Sequence, residues 1–107
     1  MSEKLNSIIT ELKERTASFD ASGRDFLAIQ ITLKDLEESF YIEVKDGELS
    51  IEPYEYNDSQ AKVIITSDNF IKLINGKLNA MVALTTGKLK IKGDLTKAKA
   101  LTELFTK

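Results

Sequence analysis

The sequence predicts an α+β domain: a five-stranded, mostly antiparallel sheet with helices packed on one face. Three observations carry that expectation. Residues 86–94, Thr86-Gly87-Lys88-Leu89-Lys90-Ile91-Lys92-Gly93-Asp94, alternate lysine with apolar residues, the period of a strand with one wet and one dry face. Asp46-Gly47 joins two alternating runs and is the signature of a two-residue type I′ hairpin. Apolar residues at helical spacing come mostly after the hairpin-built strands, which segregates helices to one side of a sheet.

The elements follow in order. The spacing of Leu5, Ile8, Ile9 and Leu12 predicts an amphipathic helix over 3–15, with Ser2 as N-cap. Residues 16–25 read as a loop. A first strand over 26–33 puts Leu27, Ile29, Ile31 and Leu33 on one face, and residues 35–38 turn the chain. The second strand, 39–45, points Phe40, Ile42 and Val44 inward. The Asp46-Gly47 turn fixes its register with the third, 48–52: Lys45 opposite Glu48, Val44 opposite Leu49, Ile42 opposite Ile51. Pro53 ends that strand, because it cannot donate to the ladder.

A polar loop over 53–60 holds Tyr54 and Tyr56, of which one is expected to pack back on the sheet. The fourth strand, 61–66, centres on Val63-Ile64-Ile65, a β-branched run that predicts burial on both faces. Ser67 is read as the cap of a helix through Ile74, stopped by Asn75-Gly76. Asn79 caps a short apolar helix over 80–84. The fifth strand is 88–92, reached through a helical crossover and so a candidate for parallel pairing. Asp94 caps a last helix lined by Leu95, Ala98, Leu101, Leu104 and Phe105.

Composition bounds the function. The 107 residues suit one domain with one core. There is no Cys, hence no disulfide and no thiol nucleophile, which fits a reducing, cytoplasmic setting. The start of the chain lacks a signal-peptide pattern. There is no His, which removes the commonest general acid–base and transition-metal ligand, so the chain reads as non-enzymatic with no cofactor and no metal. Residues 1–76 carry 8 basic against 15 acidic side chains, a net −7; residues 77–107 carry 7 against 2, a net +5. Either the two sections complement each other in the fold, or the second forms a basic face for an anionic surface or ligand.

Ile74-Asn75-Gly76-Lys77-Leu78-Asn79 followed by the Gly87-Lys88-Leu89-Lys90-Ile91-Lys92-Gly93 strand resembles the sterol carrier protein (sterol-binding domain) family. The likeness extends over roughly residues 5–105 in element order. Ala80 stands where the family usually has proline, and Leu84-Thr85-Thr86-Gly87 replaces an often aromatic segment. The resemblance implies binding and transfer of fatty acid, acyl-CoA, phospholipid or sterol-like lipid in an apolar tunnel between sheet and helices. The acidic balance makes a linear acyl chain the expected class. The residues expected to line the tunnel are Ile31, Ile42, Phe70, Ile74, Met81, Leu84, Leu101, Leu104 and Phe105, which could equally be plain core. Lys88, Lys90 and Lys92 are either a charged edge that resists aggregation or a contact for anionic headgroups at a membrane surface. Nucleic acid is disfavoured, since no aromatics interleave with the lysines. An accessory module with a filled core is the alternative; oligomeric state stays open.

Overall fold

Asp46 and Gly47 both take positive φ, 52° and 78°, as the two central residues of a type I′ turn must. The hairpin they close has the register predicted from sequence: Lys45 faces Glu48, Val44 faces Leu49 and Ile42 faces Ile51. From this hairpin the rest of the sheet can be laid out. The computed structural model describes residues 2–105, with side chains through Leu101. In chain order the elements are α1 (Glu3–Arg15), β1 (Leu27–Leu33), β2 (Glu38–Lys45), β3 (Glu48–Glu52), β4 (Ala61–Ile65), α2 (Ser67–Ile74), α3 (Ala80–Thr85), β5 (Leu89–Gly93) and α4 (Leu95–Phe105).

The five strands form one sheet in the order β3-β2-β1-β4-β5. The parallel pair is β1 with β4; β5 runs antiparallel to β4. The expectation of a parallel β5 is thereby corrected. The parallel link falls earlier, where the chain leaves β3 at the far edge and must cross to the other side of β1 before β4 begins. The helices before β5 merely reverse the chain beside β4.

The registers sort side chains into two faces. One row runs Ile51–Ile42–Ile29–Ala61–Gly93 across all the strands, and Phe40–Ile31–Val63–Ile91 forms the row beside it. This is the face the helices cover. Leu5, Ile8, Ile9 and Leu12 of α1 are buried there. Phe70 of α2 meets Phe40 edge-on, ring centroids 5.6 Å apart. At the far end of α2, Arg15 of α1 donates to the Ile74 carbonyl at 2.9 Å and to the Asn75 side chain.

The other face is polar. Its central row is Glu52–Tyr41–Gln30–Lys62–Lys92. Gln30 is buried there, and its amide oxygen accepts from the Tyr56 N–H at 2.9 Å. The Tyr56 hydroxyl donates to Glu43 at 2.7 Å, and its ring meets Tyr41 edge-on. The loop after Pro53 is thus tied down through Tyr56, while Tyr54 is 64% exposed. One tyrosine packs back, as the sequence suggested.

Several local expectations change. Ser67 does not cap α2: Thr66 does, its hydroxyl accepting from the Asn69 N–H at 3.3 Å. Ser67 is the first helical residue, wholly buried, giving its N–H and O–H to the Asp35 carboxylate at 2.8 and 2.6 Å. Ile64 is half-buried rather than buried, because no helix covers its face. Phe26, placed in β1 from sequence, stands outside it and is 42% exposed. Lys88 precedes β5, its N–H held by the Ala83 carbonyl at 2.9 Å.

Candidate apolar site

Three elements meet at the β5 edge of the helix-covered face. Asn79 caps α3, its side-chain oxygen accepting from the Met81 and Val82 N–H groups at 2.8 and 3.1 Å. A carboxylate or amide oxygen at this position satisfies donors that the first helical turn leaves unpaired. α3 leads into β5, and Asp94 starts α4 in the same way, its carboxylate accepting from the Thr96 N–H at 2.9 Å. Strand β5 therefore lies between two capped helices, its apolar residues Leu89 and Ile91 turned to the space they enclose.

That space is a groove of about 330 Å³ lined by Ala80, Met81, Leu84, Leu89, Ile91, Leu95, Ala98 and Lys99. Such a volume is at the low end of the roughly 300–1,000 Å³ typical of small-molecule sites. The walls are aliphatic except for Lys99. At the rim Met81 is 69% and Leu95 55% exposed. Large apolar side chains left that open beside an apolar groove are unusual for a surface that meets only water.

Of the residues expected to line a tunnel, Met81 and Leu84 are brought together at this groove. Ile31, Ile42, Phe70, Ile74 and Leu101 are each at most 3% exposed, in the packed core behind it. Leu104 and Phe105 fall beyond the described side chains. The sequence reading passed over Leu89, Ile91, Leu95 and Ala98 as site residues. Their signal was present in the dry face of β5 and the apolar side of α4, but which helix would flank which strand is a tertiary fact.

Through Leu101, helix α4 buries Ala98 and Leu101, with Ala100 partly buried.

The lysines lie across β5 from the groove. Lys90 and Lys92 project from the polar face, where Lys92 stands directly opposite Lys62 of β4, and Lys90 opposite Ile64. Lys34 and Lys88 follow β1 and precede β5 at the same end of the sheet. All five lysines are exposed. The ion pairs Lys4–Asp68 and Arg15–Glu11 both fall within residues 1–76. Among the described residues no ion pair joins these five lysines to an acid. Among the described residues no group of three or more His, Cys, Asp or Glu side chains is placed to hold a metal, and no helix is long and apolar enough to cross a membrane.

Residues 5–106 match the family described as the SCP-2 sterol transfer family. Sterol carrier protein 2 of Arabidopsis thaliana is 33% identical over 72 residues, 66% of this chain and 58% of that protein. The Fatty acid-binding protein of Yarrowia lipolytica is 36% identical over 66 residues, 60% of this chain and 51% of that one. The matched regions thus span little more than half the length of either relative. The solution structure of Sterol Carrier Protein-2 from Aedes aegypti, in complex with the C16 fatty acid palmitate, superposes with a TM-score of 0.73 at 16% identity, over 99% of this chain and 97% of that one. At that identity the likeness is one of fold.

Proposed function

The chain belongs to the SCP-2 sterol transfer family, and from that premise we propose that it binds a linear acyl lipid, such as a fatty acid, and carries it without chemistry. The observation that supports this reading is the open aliphatic groove between α3, β5 and α4, with Met81 and Leu95 exposed at its rim. The names of the two relatives, a sterol carrier and a fatty acid-binding protein, agree with it.

Energetics suit an acyl chain. Burial yields roughly 0.8 kcal/mol per methylene, so a 16-carbon chain offers on the order of 12 kcal/mol gross before ordering costs. No polar contact is required, and a site of this kind accepts chains of varied length. In this proposal Met81 and Leu84 form the entry. Leu101 lines the path along α4. Ile31, Ile42, Phe70 and Ile74 become the floor when α4 lifts from the sheet.

Native mass spectrometry of the full chain, before and after addition of palmitate, tests the reading. A complex of one lipid per chain supports it. A mass unchanged at saturating palmitate refutes it, and favours a second reading for which the filled core speaks: an accessory module of the same fold with no ligand.

A further inference from the structure

We propose that the face of β4 and β5 turned away from the helices docks on an anionic lipid bilayer. The starting point is Lys62. It faces Lys92 directly across the strands, and like charges so placed repel. Lysines on an edge strand can be explained as protection against strand addition. That reason covers Lys90 and Lys92 on β5. It does not cover Lys62, because β4 lies inside the sheet, between β1 and β5.

The patch has the chemistry of a bilayer contact. Neighbouring strands are about 4.8 Å apart and alternate residues roughly 6.7 Å apart, so Lys62, Lys90 and Lys92 form a tight cationic triangle. Ile64 takes the fourth corner beside it, next to Lys62 along β4 and opposite Lys90 across the ladder, half-buried with no helix above it. Exposed Lys34 and Lys88 extend the charge at one end. Lysine stems lie along apolar surface while their heads reach phosphate, and an aliphatic neighbour suits the same interface. A nucleic acid would call for stacking aromatics, and none stands among these residues. The same face turns acidic at its far side, with Glu43, Glu48 and Glu52 on β2 and β3, so the bilayer is met by the β4–β5 end.

This surface goes beyond the acyl-carrier reading and stands apart from it. The lysines and the groove are two sides of one edge strand: Lys90 and Lys92 on one, Leu89 and Ile91 on the other.

Co-sedimentation with vesicles tests it. The full chain is mixed with equimolar phosphatidylserine–phosphatidylcholine vesicles, or with pure phosphatidylcholine vesicles, at low and high salt. The proposal expects binding to the anionic vesicles alone, lost at high salt. The Lys62→Gln/Lys92→Gln double variant should bind about 30-fold more weakly, each lysine near an anionic surface being worth about fivefold. A Lys13→Gln/Lys72→Gln control on α1 and α2 should match the parent. Thermal unfolding establishes that each variant is folded, and palmitate binding by the Lys62/Lys92 variant should be unchanged, which separates this surface from the groove. Equal binding to both vesicle types, no binding to either, parent-like binding by the Lys62/Lys92 variant, or retention by nucleic acid or an acidic protein in place of vesicles would each overturn it.

Discussion

Gly93 passes so close to the carbonyl of Gln60 that a Cβ on it would stand 2.7 Å from that oxygen. Its φ of +93° is also one that other residues avoid. The next residue, Asp94, donates its N–H to the same carbonyl at 2.9 Å. The end of β5 is therefore clamped to the start of β4, and that clamp aims Asp94 as the cap of α4 and sets the mouth of the groove. Gly93→Ala should cost roughly 1–3 kcal/mol from the clash, with backbone strain added. Gly76→Ala, at φ +73° with nothing within 4 Å, should cost only the strain, about 1–2 kcal/mol. Urea midpoints for the two variants check the ranking.

The Asp35–Ser67 contact predicts acid sensitivity. Hydrogen bonding from Ser67 holds the Asp35 carboxyl below its usual 3.8, helped by Lys4. A depressed folded pKa gives stability that is present above the unfolded value and lost as pH falls through the folded one. The loss should thus appear below about pH 4. Asp35→Asn should flatten that part of the stability–pH curve and cost about 1 kcal/mol at neutral pH, the usual net worth of a hydrogen bond. Urea unfolding at a series of pH values reads both effects.

The opposite sign holds at Tyr56. Its hydrogen bond to Glu43, with partial burial and the nearby negative charge, pushes the phenol up from 10.0 to about 12. A raised folded pKa gives stability that is complete below the unfolded value and lost as pH rises through the folded one, here between about pH 10 and 12. Spectroscopic titration should find a late tyrosine that vanishes in Tyr56→Phe. That variant should also lose less stability over the same alkaline interval.

Cross-strand charge can be relieved. Lys62→Glu places an anion opposite Lys92 in place of a cation, and opposite-charge pairs across an antiparallel ladder contribute roughly 0.2–1 kcal/mol. The variant should be more stable than the parent by that order, and the gain should shrink with added salt. A rise in melting temperature at low salt checks it.

At the groove, Met81→Glu changes a residue that is 69% exposed, so folding should be unaffected. Placing a carboxylate on an apolar rim should weaken palmitate binding roughly 10-fold, about the worth of the apolar contact removed. Displacement of a fluorescent fatty acid reads the change.

Much of the fold was legible in the sequence because local rules agreed with one another. Asp46-Gly47, the alternation on either side of it, and Asn79 at its helix start each had a local cause, and each held. What escaped depended on neighbours distant in sequence. Ser67 looked like a cap because Asp35, 32 residues away, was not in view. The burial of Gln30 likewise depends on Tyr56, 26 residues away, whose N–H its side chain accepts. The parallel pairing of β1 with β4 follows from where the chain crosses the sheet, which no single segment records. At the site, Met81 and Leu84 were legible as apolar residues of a capped helix. Leu89, Ile91, Leu95 and Ala98 needed the packing of α3 and α4 around β5, and Lys62 needed the β4–β5 register.

The most direct measurement of the central claim is methyl NMR of the full chain titrated with palmitate and then with a spin-labelled stearate. If an acyl chain enters between α3, β5 and α4, the methyls of Met81, Leu84, Leu89, Ile91 and Leu95 shift first and are broadened by the label. Those of Leu49 and Ile51, on the far edge of the sheet, should stay unchanged. Shifts centred on Leu49 and Ile51, or no shifts at saturating palmitate, would contradict the account.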